Sequence, residues 1–273
     1  MDRDCFFDRY AVSTFLYRKQ PLEEGLRRIA GAGFRWVELW ADNGHLDPRL
    51  GPVDLKAVRS LLDDLGLQAH SLHTPFNGVH LGQPPSYDAG FARQVIGEAI
   101  RQAGFLGARL AVVHPTSDPQ ELPPELWPAS RHLAQDLVAE MMEAAEEAGT
   151  QVALENTVRR RFYRYGTSLA ELATDFPDPR VGFCLDVGHA MLNGTDIAAE
   201  ARAAGSRLIS IHVANNDGQH DSHFPPNQGV IDWPRTVAIL HDAGYISRFV
   251  LETDAHGDAD AMLNRLKDLW HAL

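Results

Sequence analysis

The 273 residues carry 25 Lys and Arg against 37 Asp and Glu, a formal charge of −12, which argues against a broad basic footprint for nucleic acid and leaves small molecules as the expected partners. Hydrophobic residues make up 44% and charged residues 23%, an ordinary balance for a folded chain long enough to bury a core without disulfides. Cys5 and Cys184 are too few for a disulfide scaffold, Met1 to Tyr10 is charged at Asp2, Arg3, Asp4, Asp8 and Arg9, and no run of roughly 18 apolar residues occurs, so neither secretion nor membrane spanning is expected and a cytoplasmic protein is.

In chain order, the first β-branched or aromatic run is Ala11 to Phe15, followed by a helical pattern over Pro21 to Ala32. Trp36 to Trp40 then precedes Val53 to Leu65, Gln68 to His73 precedes Tyr87 to Phe105, and Arg109 to His114 precedes Ser130 to Ala148. The alternation continues with Gln151 to Asn156 and Ser168 to Phe176, Val181 to Asp186 and Asp196 to Ala204, Leu208 to Val213 and Trp233 to Ala243, and Phe249 to Glu252 and Asp258 to His271. Glycines stand where left-handed C-caps fall, as in Leu65-Gly66 and Ala148-Gly149. Eight strands alternating with helices predict a parallel sheet closed into a single (β/α)8 TIM barrel of the α/β class, one domain over residues 1–273. Two connections, His73 to Tyr87 and Ala214 to Asp232, are longer than turns and follow strand C-termini, the face on which such barrels build active sites.

Polar residues able to bind metal recur at those C-termini: His73, His114, Glu155, Asp186, His212 and Glu252. Each closes an apolar run, as in Ala111-Val112-Val113-His114, so all are expected at one barrel mouth. Three carboxylates in a partly dry mouth repel one another unless a cation or protons neutralise them, and a divalent metal is the expected solution. Mixed carboxylate and imidazole donors suit Zn²⁺ or Mn²⁺, and also Co²⁺ or Fe²⁺, better than Mg²⁺ or Ca²⁺, although Mg²⁺ stays on the slate. His189, Asp221 and His223, just past the strands, are additional candidate ligands.

At these residues the chain resembles the xylose isomerase-like TIM-barrel superfamily, which holds sugar and sugar-phosphate isomerases and epimerases together with endonuclease IV-like AP endonucleases. The segments that carry the resemblance include His73-Thr74-Pro75-Phe76, Val113-His114-Pro115, Leu154-Glu155-Asn156-Thr157, Asp186-Val187-Gly188-His189, Ile211-His212-Val213, Asp221-Ser222-His223 and Leu251-Glu252-Thr253. In the epimerase branch it implies one metal on Glu155, Asp186, His212 and Glu252. The two glutamates then also move protons on opposite faces of the substrate, and His189 polarises a substrate oxygen. In the endonuclease branch it implies a trinuclear zinc site drawing on those five residues and on His73, His114, Asp221 and His223. Phe76 stands where the DNA-binding branch has a tyrosine, and Pro225-Pro226-Asn227-Gln228-Gly229 replaces its Leu-Gly-x-Gly, both of which weaken the endonuclease reading.

Around the metal, His73 and His114 are further expected to touch substrate, and Arg159 and Arg161 to clamp an anionic group through guanidinium forks. Trp36 and Trp40 are read as one packing face of the second strand, with Glu38 assigned to the opposite face, entering the barrel to bind a substrate hydroxyl. Cys184 is read as core. The expectation is a metal-dependent isomerase or epimerase of a small sugar, polyol-ketose or related hydroxy-carbonyl compound, working by enediolate proton transfer; an oligomer is compatible with it. Its rivals are an AP endonuclease with a multinuclear zinc site and a metal-dependent sugar-binding barrel without turnover.

Overall fold

The computed structural model describes residues 3–79, 89–115, 124–158 and 168–269. The strands are β1 (Tyr10–Ser13), β2 (Trp36–Trp40), β3 (Gln68–His73), β4 (Leu110–Val113), β5 (Gln151–Glu155), β6 (Gly182–Asp186), β7 (Leu208–Val213) and β8 (Phe249–Leu251). Each pairs in parallel with its neighbour, and β1 pairs with both β2 and β8, closing the barrel. All eight expected strands form, their ends shifted by at most two residues.

The described helices are α1 (Arg3–Arg9), α2 (Leu22–Gly31), α3 (Leu55–Leu65), α4 (Ala89–Phe105), α5 (Trp127–Ala148), α6 (Leu169–Asp175), α7 (Val187–Asn193), α8 (Ile197–Ala204), α9 (Trp233–Asp242) and α10 (Ala259–Lys267). Local chemistry sets their ends. Asp54 accepts the Ala57 amide at the start of α3, and Gly66, at φ 65°, ends it in the left-handed conformation that costs a glycine least. Two helices, α1 and α7, were not expected. Both are seven residues long, too short for a hydrophobic period to register, and α7 starts directly from β6 with Asp186 as its N-cap.

The strands sort their side chains by face. Val12, Val37, Leu39, Leu72, Val113, Leu154, Leu185, Ile211 and Leu251 belong to the main core shared with the helices. The barrel interior has its own smaller groups: Ala11, Trp36 and Val250 near the strand N-termini, and Val112, Ala153 and Cys184 above them. Register shifts leave one residue of β3, His70, unpaired between Ala69 and Ser71, and one of β7, Ile209, unpaired between Leu208 and Ser210. Side chains two apart on a strand share a face, so Glu38 joins Trp36 and Trp40 inside the barrel, which corrects its assignment to the opposite side. Among the described residues no helix is long and apolar enough to cross a membrane.

Candidate active site

Six strands deliver a polar side chain to the mouth, as expected, and the barrel brings them into contact. One oxygen or nitrogen from each of Glu155, Asp186, His212 and Glu252 lies within 4.8 Å of the others, all four residues being buried. His212 Nδ1 is 3.0 Å from Glu252 Oε2 and 3.4 Å from Glu155 Oε1. Yet Glu155 Oε1, Asp186 Oδ2, His212 Nδ1 and Glu252 Oε2 all lack a hydrogen-bond partner. Buried polar atoms are normally satisfied, and four orphans contributed by one four-residue group fit the donor set of a divalent ion.

The outer partners fix how these four side chains are presented. Glu38 Oε2 accepts from Ser71 Oγ at 2.8 Å and from His212 Nε2 at 3.1 Å, so the Nε2 proton of His212 faces Glu38 and its Nδ1 faces the carboxylates. Glu38 is fully buried against His212, a position in which it braces the imidazole, and it is not among the residues lining the cavity above. Asn156 donates to the Asp186 carbonyl at 3.0 Å and accepts the Asp186 amide at 2.7 Å, locking β5 to β6 beside two candidate ligands. Asp186 Oδ1 caps α7 by accepting the His189 amide at 2.6 Å.

A second group adjoins the first. His189 Nδ1 donates to the Asn156 carbonyl at 2.9 Å and His223 Nδ1 to the Glu252 carbonyl at 3.0 Å, so both rings present Nε2 to Asp221, at 3.4 and 3.3 Å. His223 sits at φ 46°, a conformation that costs a non-glycine residue roughly 1 kcal/mol and is tolerated where surrounding structure imposes it. Here Asn215 and Phe224 exchange backbone hydrogen bonds at 2.9 and 2.8 Å, folding the loop after β7 back over the mouth. His73 and His114 complete the ring, each placing Nε2 3.2 Å from Glu155 Oε2.

Charge follows geometry. Burial works to keep Glu155 and Glu252 neutral, but the imidazoles outweigh it; Glu252 is held at about 2 and Glu155 well below the usual carboxylate range. Burial lifts Asp186 to about 6, with Glu155 and Glu252 adding to it against His189. Burial opposes protonation of His189, His212 and His223, and the acidic groups around them prevail, taking His223 to about 10 and the other two well above the ordinary value. Burial pushes the Cys184 thiol up to about 12, consistent with core rather than nucleophile.

Above the candidate ligands opens a cavity of about 440 Å³, walled by Phe15, Trp40 and Phe76 on its apolar side. Phe76 stacks on His114 at 4.2 Å, and Trp40 packs 4.6 Å from His73. Its rim includes Arg18, Lys19, Asp42 and Asp254, none of which the sequence singled out. Asp42 is a loop clamp: its Oδ1 accepts the amides of Phe76 and Asn77 at 3.0 and 3.1 Å and the Arg49 guanidinium at 2.9 Å. An aspartate just past a strand of ordinary packing residues gave no signal of that role, whereas Asn156, directly after a ligand at a strand end, could have been recognised. Arg159 and Arg161 lie outside the described residues.

The family model described as xylose isomerase-like TIM barrel matches residues 26–269, and the chain belongs to that family. An uncharacterized protein of Methanocaldococcus jannaschii is 25% identical over 270 residues, covering 95% of this chain and 88% of the relative. Fructoselysine 3-epimerase of Shigella flexneri is 22% identical over 246 residues, 84% of each chain. Among solved structures, a D-tagatose 3-epimerase-like protein superposes with a TM-score of 0.82 at 22% identity over 97% of both chains. A family 2 AP endonuclease from Brucella melitensis reaches 0.76 at 17% identity over 97% of this chain and 98% of its own. At these identities the structural likeness speaks for the fold.

Proposed function

We propose that this member of the xylose isomerase-like TIM barrel family is a metal-dependent epimerase or isomerase of a small sugar or related hydroxy-carbonyl compound. The observation that carries the proposal is the set of four orphaned atoms on Glu155, Asp186, His212 and Glu252, two of which, Glu155 and Glu252, line a cavity large enough for a sugar. A divalent ion bound there neutralises the carboxylates and stabilises negative charge developing on adjacent carbonyl and hydroxyl oxygens of the substrate.

The protein's own groups supply the rest. Glu155 and Glu252 rest ionised, so each can take a carbon-bound proton, and they come from β5 and β8, separated in the ring by β6 and β7. One removes the proton, and the other, after taking a proton from solvent, returns it from the opposite side, which inverts the carbon. His189, anchored at Nδ1 by Asn156, holds its Nε2 toward the cavity to polarise a substrate oxygen. Phe15, Trp40 and Phe76 offer apolar surface to the carbon face of a sugar and exclude water from the reacting carbon. The kinship with fructoselysine 3-epimerase and the resemblance to tagatose 3-epimerase-like folds support inversion at a carbon next to a ketone.

The His189, Asp221 and His223 group is the observation favouring a second reading, phosphodiester hydrolysis by a multinuclear centre, which requires more than one ion per chain. Turnover of ketohexoses in D₂O with Mn²⁺ or Co²⁺ separates the two. Deuterium at the inverted carbon supports the epimerase; cleavage of an abasic-site duplex without sugar turnover overturns it. Aldose–ketose isomerisation without deuterium uptake points instead to a hydride shift between neighbouring carbons and leaves the glutamates as ligands alone.

A further inference from the structure

One wall of the cavity is carried by a turn and not by a strand or a long helix. Between β1 and α2 the chain passes through a short 3₁₀ helix, Thr14–Tyr17, and brings Phe15, Arg18 and Lys19 to the cavity. Short 3₁₀ turns have poor internal hydrogen bonding and take their shape from outside partners. Here the partner is His45, from the connection after β2, whose Nε2 lies 3.1 Å from the carbonyls of both Tyr17 and Gln20. Carbonyls only accept, so Nε2 donates, and Nδ1 takes the Thr14 hydroxyl at 3.3 Å. Thr14 Oγ1 accepts the Trp40 amide at 2.8 Å, which continues the chain of bonds into β2. Burial, opposed by the two carbonyls, lowers the pKa of His45 and keeps the ring in this neutral form.

The backbone is strained to make these bonds. His45 stands at φ 39°, in the left-handed region that a β-carbon disfavours. Asp47 closes the turn around it, its Oδ2 accepting the Asn43 amide at 2.8 Å and its own amide donating to the Gly44 carbonyl at 2.9 Å. The connection after β2 thereby holds both of its neighbours. His45 grips the turn after β1, and Asp42 grips the amides of Phe76 and Asn77 after β3. The aromatic wall rides on these connections, with Phe15 packed 4.8 Å from Trp40 and Trp40 5.8 Å from Phe76. Arg18 moves with the same turn, stacked 4.1 Å over Phe15 and paired with Asp254 at 2.6 Å. His45 is not among the residues lining the cavity, and the four candidate metal ligands stand on the other side of the ring, on or directly after β5, β6, β7 and β8.

We propose that His45 is a positioning residue for the substrate: it sets the Phe15 and Arg18 side of the cavity against Trp40 and so governs how tightly the carbon face of the substrate is held, touching neither substrate nor ion. The inference rests on the reading of this cavity as a sugar site. A wall that meets the substrate away from the reacting carbon gives binding shared by ground and transition states, so displacing it raises KM and spares kcat. Tyr17 Oη donates to Asp260 at 2.8 Å from the outer side of the same turn, so the turn shifts without unravelling when His45 is replaced.

The test measures KM and kcat of the Mn²⁺-loaded full chain for whichever of D-fructose, D-tagatose and D-psicose the parent turns over fastest, in His45→Leu and His45→Gln, with melting temperature and Mn²⁺ affinity followed alongside. His45→Leu should raise KM about ten-fold or more with kcat changed by no more than about three-fold, and Mn²⁺ affinity should stay as in the parent. His45→Gln keeps a donor for the two carbonyls and should recover part of the loss. Should His45→Leu fail to fold, His45→Gln carries the test, its KM expected to rise roughly three-fold. A merely structural residue lowers the melting temperature and the active fraction, hence kcat, and leaves KM unmoved; that result overturns the proposal. Weakened Mn²⁺ affinity in either variant assigns His45 to support of the ion and overturns it equally. A parent chain that turns over none of the three sugars overturns the sugar-site reading and the proposal with it, whereas parent turnover with KM unmoved in the variants overturns the role of His45 alone.

Discussion

The mouth and the floor of this barrel hold histidines that are equally buried and opposite in character. At the mouth, His212 lies against Glu38, Glu155 and Glu252, and His189 against Asp186 and Asp221. Burial disfavours their protonation, and the neighbouring acids overcome it. At the floor, His70 meets burial plus the charges of Arg248, Arg109 and His212, all pushing the same way, down to about 3. Desolvation being common to both, the sign of the neighbours decides. One end of the interior is built to receive a cation and the other to repel one, on a single set of strands.

The largest effects expected from breaking this arrangement are at the mouth. Glu155→Gln and Glu252→Gln keep size and one ligating oxygen but remove the base, so each should cut turnover by roughly 10²-fold or more. Metal content is measured alongside, and full activity in both variants contradicts the proton-transfer role.

Next in size is an acid-side loss of stability that belongs to the floor. The folded-state pKa of His70 is depressed from 6.5 to about 3, so the unfolded chain binds the extra proton first as pH falls. The stability associated with a neutral His70 is complete above pH 6.5 and is lost toward pH 3, by about 2 kcal/mol between pH 6.5 and 5. Denaturant unfolding of His70→Leu should show a correspondingly flatter acid limb than the parent chain. Equal slopes would mean that His70 does not resist protonation.

A smaller effect tests the brace under the mouth. Glu38→Ala should weaken Mn²⁺ affinity about ten-fold or more by freeing His212 to turn, with Glu38→Gln recovering part of the loss through its amide oxygen. Titration calorimetry against a chelator reads this separately from folding. Affinity unchanged in Glu38→Ala contradicts the bracing role.

Much of this was legible in the sequence, and the part that was not has physical causes. The strands were readable because each is a short apolar run closed by a glycine-rich or polar punctuation, and the candidate ligands because Glu155, Asp186, His212 and Glu252 each end such a run. The helix α7 was missed because one capped pair of turns has no period to detect. Glu38 was put on the wrong face although its spacing from Trp36 and Trp40 already fixed the shared one.

The central claim is that Glu155, Asp186, His212 and Glu252 hold a divalent ion, and counting ions per chain tests it most directly. Elemental analysis and calorimetry with Mn²⁺ and Zn²⁺ should find one tightly bound ion in the parent chain, lost or greatly weakened in Asp186→Ala, with chelation lowering the melting temperature of the parent chain alone. A parent chain that binds no ion, or an Asp186→Ala variant that binds it undiminished, would contradict the account.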